Sequence, residues 1–261
     1  VYFEPNDEGR WYISKHPKDY GLEENKQKSF ARVPMPGNTR QFSCGIDPVS
    51  YKENLENDEK SLSGLSIKRN LDLRIDNPNN ADLFDVNGDP IDGGRFFKTN
   101  RYCCVYLYRH KNPNDNYDDW LKSVVYYGCD FLIEKNHSGG FYSYLDTLGF
   151  IEYYMDKSGI ANYKGQQEKL GYTAKEKAVE TYFSAIGSLV SQYWNTIDIP
   201  LITEQLQTME YDTRTKHDLG VSIGFCEVAA NSKLVEEQKY LGYESDSEEG
   251  IEMTEVNYDF D

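Results

Sequence analysis

Tightly apolar runs of strand length occur at residues 41–49, 62–68, 102–109 and 130–136, each bounded by polar or turn-forming residues. The first closes at Asp47-Pro48, because proline cannot continue a central ladder. In the last, side chains alternate, so Asp130, Leu132 and Glu134 share one side and Phe131 and Ile133 the other. Leu71, Leu73 and Ile75, spaced by Asp72, Arg74 and Asp76, predict a further half-buried strand, and Phe150–Met155 predicts another short one. Helical spacing appears over 116–128, capped by Asn114-Asp115, with Trp120, Val124 and Tyr127 on one face. Ser138-Gly139-Gly140 opens a helix to about residue 148, and Thr173-Ala174-Lys175-Glu176 is a capping box before a long helix through Trp194. Two more helices are predicted over 200–210 and 215–235, the latter with Leu219, Ile223 and Cys226 on its apolar face. Strands and helices in this order imply an α/β fold, a mixed sheet flanked by helices.

Turn chemistry divides the chain. Residues 1–40 are rich in Pro, Gly and charge and read as a linker or lead-in packed on the domain surface, with a strong turn signal at Pro34-Met35-Pro36-Gly37-Asn38. The body spans 41–235, with an insertion at about 70–100 after the first strands. Within it, Asp85-Val86-Asn87-Gly88-Asp89 reads as an Asn-Gly hairpin turn; a calcium loop would require glycine where Pro90 stands and a later bidentate Glu. Residues 236–261 read as an acidic, disordered tail.

Composition narrows the function classes. Aromatics make up 14% of the 261 residues, including 22 Tyr, as expected of a folded body. A net charge of −16 is awkward for a nucleic-acid protein, but the segment 244–261 holds eight acids and no Lys or Arg, so half of that charge is confined there. Cys44, Cys103, Cys104, Cys129 and Cys226 lie among apolar residues without zinc spacing and read as reduced core thiols of a cytoplasmic protein. No signal peptide or membrane-spanning run is evident, so no membrane partner is expected.

The chemistry is carried by Asp47, Glu134 and Asp218. Each acid ends or begins a strongly apolar element, where an uncompensated carboxylate is costly to bury, so a shared cation is the economical explanation. Hard Mg²⁺ or Mn²⁺ prefers oxygen ligands, and two such ions can serve both the attacking and the leaving oxygen of a phosphodiester. Read alone, Asp218 is equally a partner for the dipole of the helix it opens.

Ile-Asp-Pro on a first strand, Ile-Glu-Lys-Asn and a following Gly on a later one, a Lys at a helix start and a late Asp-Leu helix together resemble the nuclease domain of the large terminase subunit of tailed bacteriophages, over about 41–230. That resemblance implies a ribonuclease H-like fold and metal-dependent endonuclease cleavage of concatemeric double-stranded DNA during viral genome packaging. It assigns Asp47, Glu134 and Asp218 as catalytic ligands of two divalent cations. Asn136 and His217 would support those ligands or face phosphate, His137 lies near enough to touch metal or substrate, and Lys175 would meet a DNA phosphate. It further implies an ATPase domain in a longer subunit, a portal protein and a small terminase subunit as partners, and a place in the host cytoplasm at the procapsid. The pattern departs in having His217-Asp218 where the family often has Asp-Asp, and in lacking a P-loop, so the chain reads as the isolated nuclease portion of a larger subunit. Another ribonuclease H-like nuclease, such as a junction resolvase or a transposase-like enzyme, would use the same acids. An acidic interaction module without catalysis is the alternative from a different class.

Overall fold

The computed structural model describes residues 1–49, 51, 61–135, 138–155 and 176–240. Its centre is a mixed five-stranded sheet in the order β1-β6-β5-β4-β7, formed by Trp11–Ile13 (β1), Phe42–Asp47 (β4), Ser63–Arg69 (β5), Arg101–Tyr108 (β6) and Phe131–Ile133 (β7). Strands β4, β5 and β6 pair antiparallel in succession, and β7 pairs parallel to β4 with Ile46 opposite Ile133. A separate two-stranded hairpin joins Gln27–Phe30 (β2) to Val33–Pro36 (β3).

Strand alternation sorts the side chains into two layers. Phe42, Cys44 and Ile46 of β4, with Leu65 and Ile67 of β5, face Pro113–Tyr127 (α1) and Gly139–Leu148 (α2), where Trp120 and Phe141 pack edge to face at 5.0 Å. Val105 and Leu132 point the other way, toward Glu176–Gln192 (α3), Pro200–Thr208 (α4) and Asp218–Tyr240 (α5). A bulge between Ile67 and Lys68 leaves Cys103 as the extra residue on β6, so Cys103 and Cys104 both join the α1 layer. All five cysteines are buried and free.

Helix α5 lies unusually close to β4 and β5, and two glycines make that possible. A Cβ at Gly45 would overlap the Ser222 carbonyl oxygen and the Cys226 nitrogen; one at Gly64 would sit 2.6 Å from the Asp218 carbonyl carbon and 2.9 Å from the Leu219 nitrogen. The helix is then pinned along its length. Lys68 donates to both Glu227 oxygens at 2.7 and 2.8 Å, with Tyr102 Oη adding a third bond at 2.6 Å, and Lys233 Nζ reaches Asp130 at 2.6 Å and the Phe42 carbonyl at 2.9 Å. Helix α5 therefore runs back along β4, starting at the Asp47 end and passing Phe42.

Several expectations need correction. Residues 1–40 are more than a lead-in, since β1 is an edge strand of the main sheet, paired to β6 with Trp11 opposite Tyr106, and the Pro34–Pro36 segment lies in the β2–β3 hairpin. The alternating residues 71–75 form no strand: Asp72 turns the chain by accepting from the Arg74 backbone and side chain, and Asp76 accepts from the Lys98 and Thr99 backbone nitrogens across the insertion, so a local turn and a long-range polar tie override the period-2 pattern. Helix α1 is capped by Asn112, whose side chain accepts from the Asn114 nitrogen, with Pro113 in the first turn. Phe150–Met155 is a 3₁₀ turn followed by one parallel bridge from Tyr154 to Phe131. The long helix stops at Gln192, and a 3₁₀ turn takes over at Trp194–Thr196. Helix α5 continues to Tyr240, so residues expected in the tail are partly helical; residues 241–261 lie outside the described residues. The Asn87-Gly88 turn is present as read, with Phe84 bridging Pro90.

Replacing Gly45 by Ala is expected to cost about 1–3 kcal/mol or more, the usual penalty for overpacking against a surface that cannot retreat. A denaturant midpoint unchanged from wild type would show that α5 can move away from β4 freely.

Candidate metal centre

Sheet topology brings one end of β4, β5, β6 and β7 together. Asp47 closes β4 opposite Gly64 at the start of β5, Ser63 pairs with Tyr108 at the end of β6, and the Glu134 backbone nitrogen donates to the Ile46 carbonyl at 3.3 Å. Asp47 shares the Gly45 face of β4, and Glu134 follows Leu132 on β7, so both acids look toward α5. Asp218 opens α5 beside Gly64, which allows the helix to begin against the strand.

The acids differ in how they are held. Asp47 and Glu134 lie side by side, and a hydrogen bond joins their carboxyl groups. Burial pushes Asp47 well above the usual carboxylate range, and the charges of Glu134 and Asp218 and the hydrogen bond with Glu134 push it further. Asp218 is also raised by burial, but the Ser61 hydroxyl, the Leu62 backbone N–H and the charges of His217 and Arg109 offset part of that rise. Ser61 Oγ donates to one Asp218 oxygen and the Leu62 nitrogen to the other, both at 2.8 Å. From the α3 side, buried Tyr182 lies close enough to feel the Asp47 and Glu134 charges.

Positive charge gathers around these acids despite the chain's acidity. Arg109 donates to the Ser61 carbonyl at 3.1 Å and lies 5.2 Å over the Tyr51 ring, while Arg214, Lys216 and His217 lead directly into α5. The His217 Nδ1 is buried without a hydrogen-bond partner among the described residues. Asn136, His137 and Lys175 lie outside the described residues.

Among the described residues no group of three or more His, Cys, Asp and Glu side chains forms a preformed cage for an ion. Asp47 and Glu134 are in direct contact, and Asp218 engages both its oxygens with Ser61 and Leu62. The donor chemistry nonetheless suits hard divalent cations, since all three groups are carboxyls, the oxygen ligands such ions prefer. Ser61, Arg109 and Lys216 were not anticipated from the sequence. The signal for Arg109 was its place directly after a strand that ends beside Asp47; Ser61 has no sequence signal, because its role depends on antiparallel pairing.

No family model matches the chain, and no curated protein does. No helix among the described residues is long and apolar enough to cross a membrane.

The raised carboxyls fix the sign of a stability effect. An acid whose folded pKa exceeds its unfolded value binds more protons in the native state between those values, so stability falls as pH rises through that window. Asp47→Asn is therefore expected to raise the cation-free melting temperature at pH 7–8 by roughly 2–4 °C, the shift given by about 1 kcal/mol in a domain of this size, with the gain shrinking toward pH 4. Melting curves in EDTA across pH check this; a variant less stable at pH 8 than wild type would mean that Asp47 is not crowded.

Proposed function

We propose that this chain is a metal-dependent DNA endonuclease with a ribonuclease H-like sheet, akin to the nuclease domain of large terminase subunits, which cut concatemeric double-stranded DNA during viral packaging. The observation that carries the reading is the adjacent carboxyl pair Asp47–Glu134 at neighbouring parallel strand ends, with Asp218 within electrostatic reach on the helix that crosses them. Three successive antiparallel strands, a helix and then a strand parallel to the first also agree with that fold.

In this reading Asp47, Glu134 and Asp218 hold two Mg²⁺ or Mn²⁺ ions, which when bound supply an activated water and neutralise the leaving oxyanion. The chain's own residues do the rest. The apolar strands fix the acids at one sheet end, Ser61 and Leu62 orient Asp218, and Arg109 braces Ser61. The packaging setting, with an ATPase domain, portal protein and small terminase subunit as partners, rests on the family resemblance.

Supercoiled plasmid incubated with the chain in EDTA, Mg²⁺ and Mn²⁺ tests the proposal. Nicking and linearisation should require the cation, and Asp47→Asn or Glu134→Gln should each reduce them by roughly 100-fold or more, since even changes outside the ligands typically cost 10–100-fold. Near wild-type cutting by both variants would sink the metal-nuclease reading, and strong preference for branched over linear duplex would move the chain to the resolvases.

A further inference from the structure

Beside Asp218 the surface opens into a cleft of about 350 Å³ between the start of β5 and the turn that precedes α5. It is lined by the apolar side chains of Leu62 and Leu107, by Gln205, Thr215 and Lys216, and by Ser61 and Asp218. Lys216 is exposed and forms no ion pair among the described residues, unlike Lys68 and Lys233, whose ammonium groups are buried against Glu227 and Asp130. A lining of leucines beside polar and cationic groups matches a sugar-phosphate strand, whose deoxyribose carbons can rest on leucine while phosphate oxygens meet amide, hydroxyl and ammonium donors.

We propose that this cleft seats the DNA strand leading into the acid cluster, with Lys216 as its principal phosphate contact and Thr215 and Gln205 as positioning donors. The inference rests on the nuclease reading for its substrate and extends it by naming the path of the strand. It also answers the charge problem of the chain. With 44 Asp and Glu against 28 Lys and Arg, the protein has little general attraction for DNA, so binding depends on a few cations placed beside the acids rather than on a broad basic face.

The test is binding and cleavage measured together on Lys216→Gln, Lys216→Arg and a control, Lys28→Gln, on the exposed β2–β3 hairpin. Binding of a labelled duplex is followed by fluorescence anisotropy in EDTA at several salt concentrations. Lys216→Gln should weaken binding, lower the slope of log affinity against log salt by about 0.9, and raise KM for plasmid several-fold at unchanged kcat. Lys216→Arg should restore most of the loss, and Lys28→Gln should resemble wild type. Equal affinity and slope in wild type and Lys216→Gln would overturn the cleft assignment even if the protein cuts DNA, as would equal losses in Lys216→Gln and the control. A wild type that binds DNA through Lys216 but cuts none in any cation would keep the cleft and remove the nuclease reading. A wild type that neither binds nor cuts would remove both.

Discussion

The close approach of α5 to β4 and β5 is the constraint on which the rest of the molecule depends. Gly45 and Gly64 remove the two side chains that would hold the helix off the sheet, and the helix backbone then lies directly on the strands. This contact places Asp218 at the strand ends where Asp47 and Glu134 already stand side by side. Without it, the acids of two neighbouring strands would face an apolar helix a full side-chain layer away. The Lys68–Glu227–Tyr102 cluster sets the helix in register, a role better supported for buried ion pairs than net stabilisation, because desolvation offsets much of their attraction.

The same approach explains why the site is costly and how the fold tolerates it. Crowded, half-buried carboxyls resist ionisation, and the aromatic layer on the opposite face, centred on Trp120, Phe131 and Phe141, supplies apolar burial far from that strain. The insertion at 70–100 leaves the sheet at Arg69 and returns at Arg101, at the opposite strand ends from the acids. Its buried Phe84 and Phe97 pack on each other and toward Tyr193, so it serves as a brace for that end of the molecule.

Much of this was legible in the sequence because burial on both faces leaves an unmistakable apolar run. The strands ending at Asp47, Tyr108 and Ile133 and the helix opened by Asp218 are readable for that reason, and an acid at the edge of such a run marks itself. Polar chemistry misled where it outweighed periodicity, as at Leu71–Ile75, where Asp72 closes a turn onto Arg74 and Asp76 ties the segment to Lys98 and Thr99. The edge strand Trp11–Ile13 is three residues long and draws its identity from β6, so nothing local could reveal it. The roles of Ser61 and Lys216 arise from long-range pairing and helix placement. The glycines were visible as residues, but their purpose appears only once α5 is laid across them.

The central claim of the proposed function is that Asp47, Glu134 and Asp218 together bind a divalent cation. Calorimetric titration of Mn²⁺ into the wild-type chain and into Asp47→Asn at several pH values tests it, since a cation and a proton compete for a carboxylate whose pKa is raised. The account predicts Mn²⁺ binding that tightens as pH rises and is lost or much weakened in Asp47→Asn. Mn²⁺ binding equally tight in Asp47→Asn, or no Mn²⁺ binding to the wild-type chain, would contradict it.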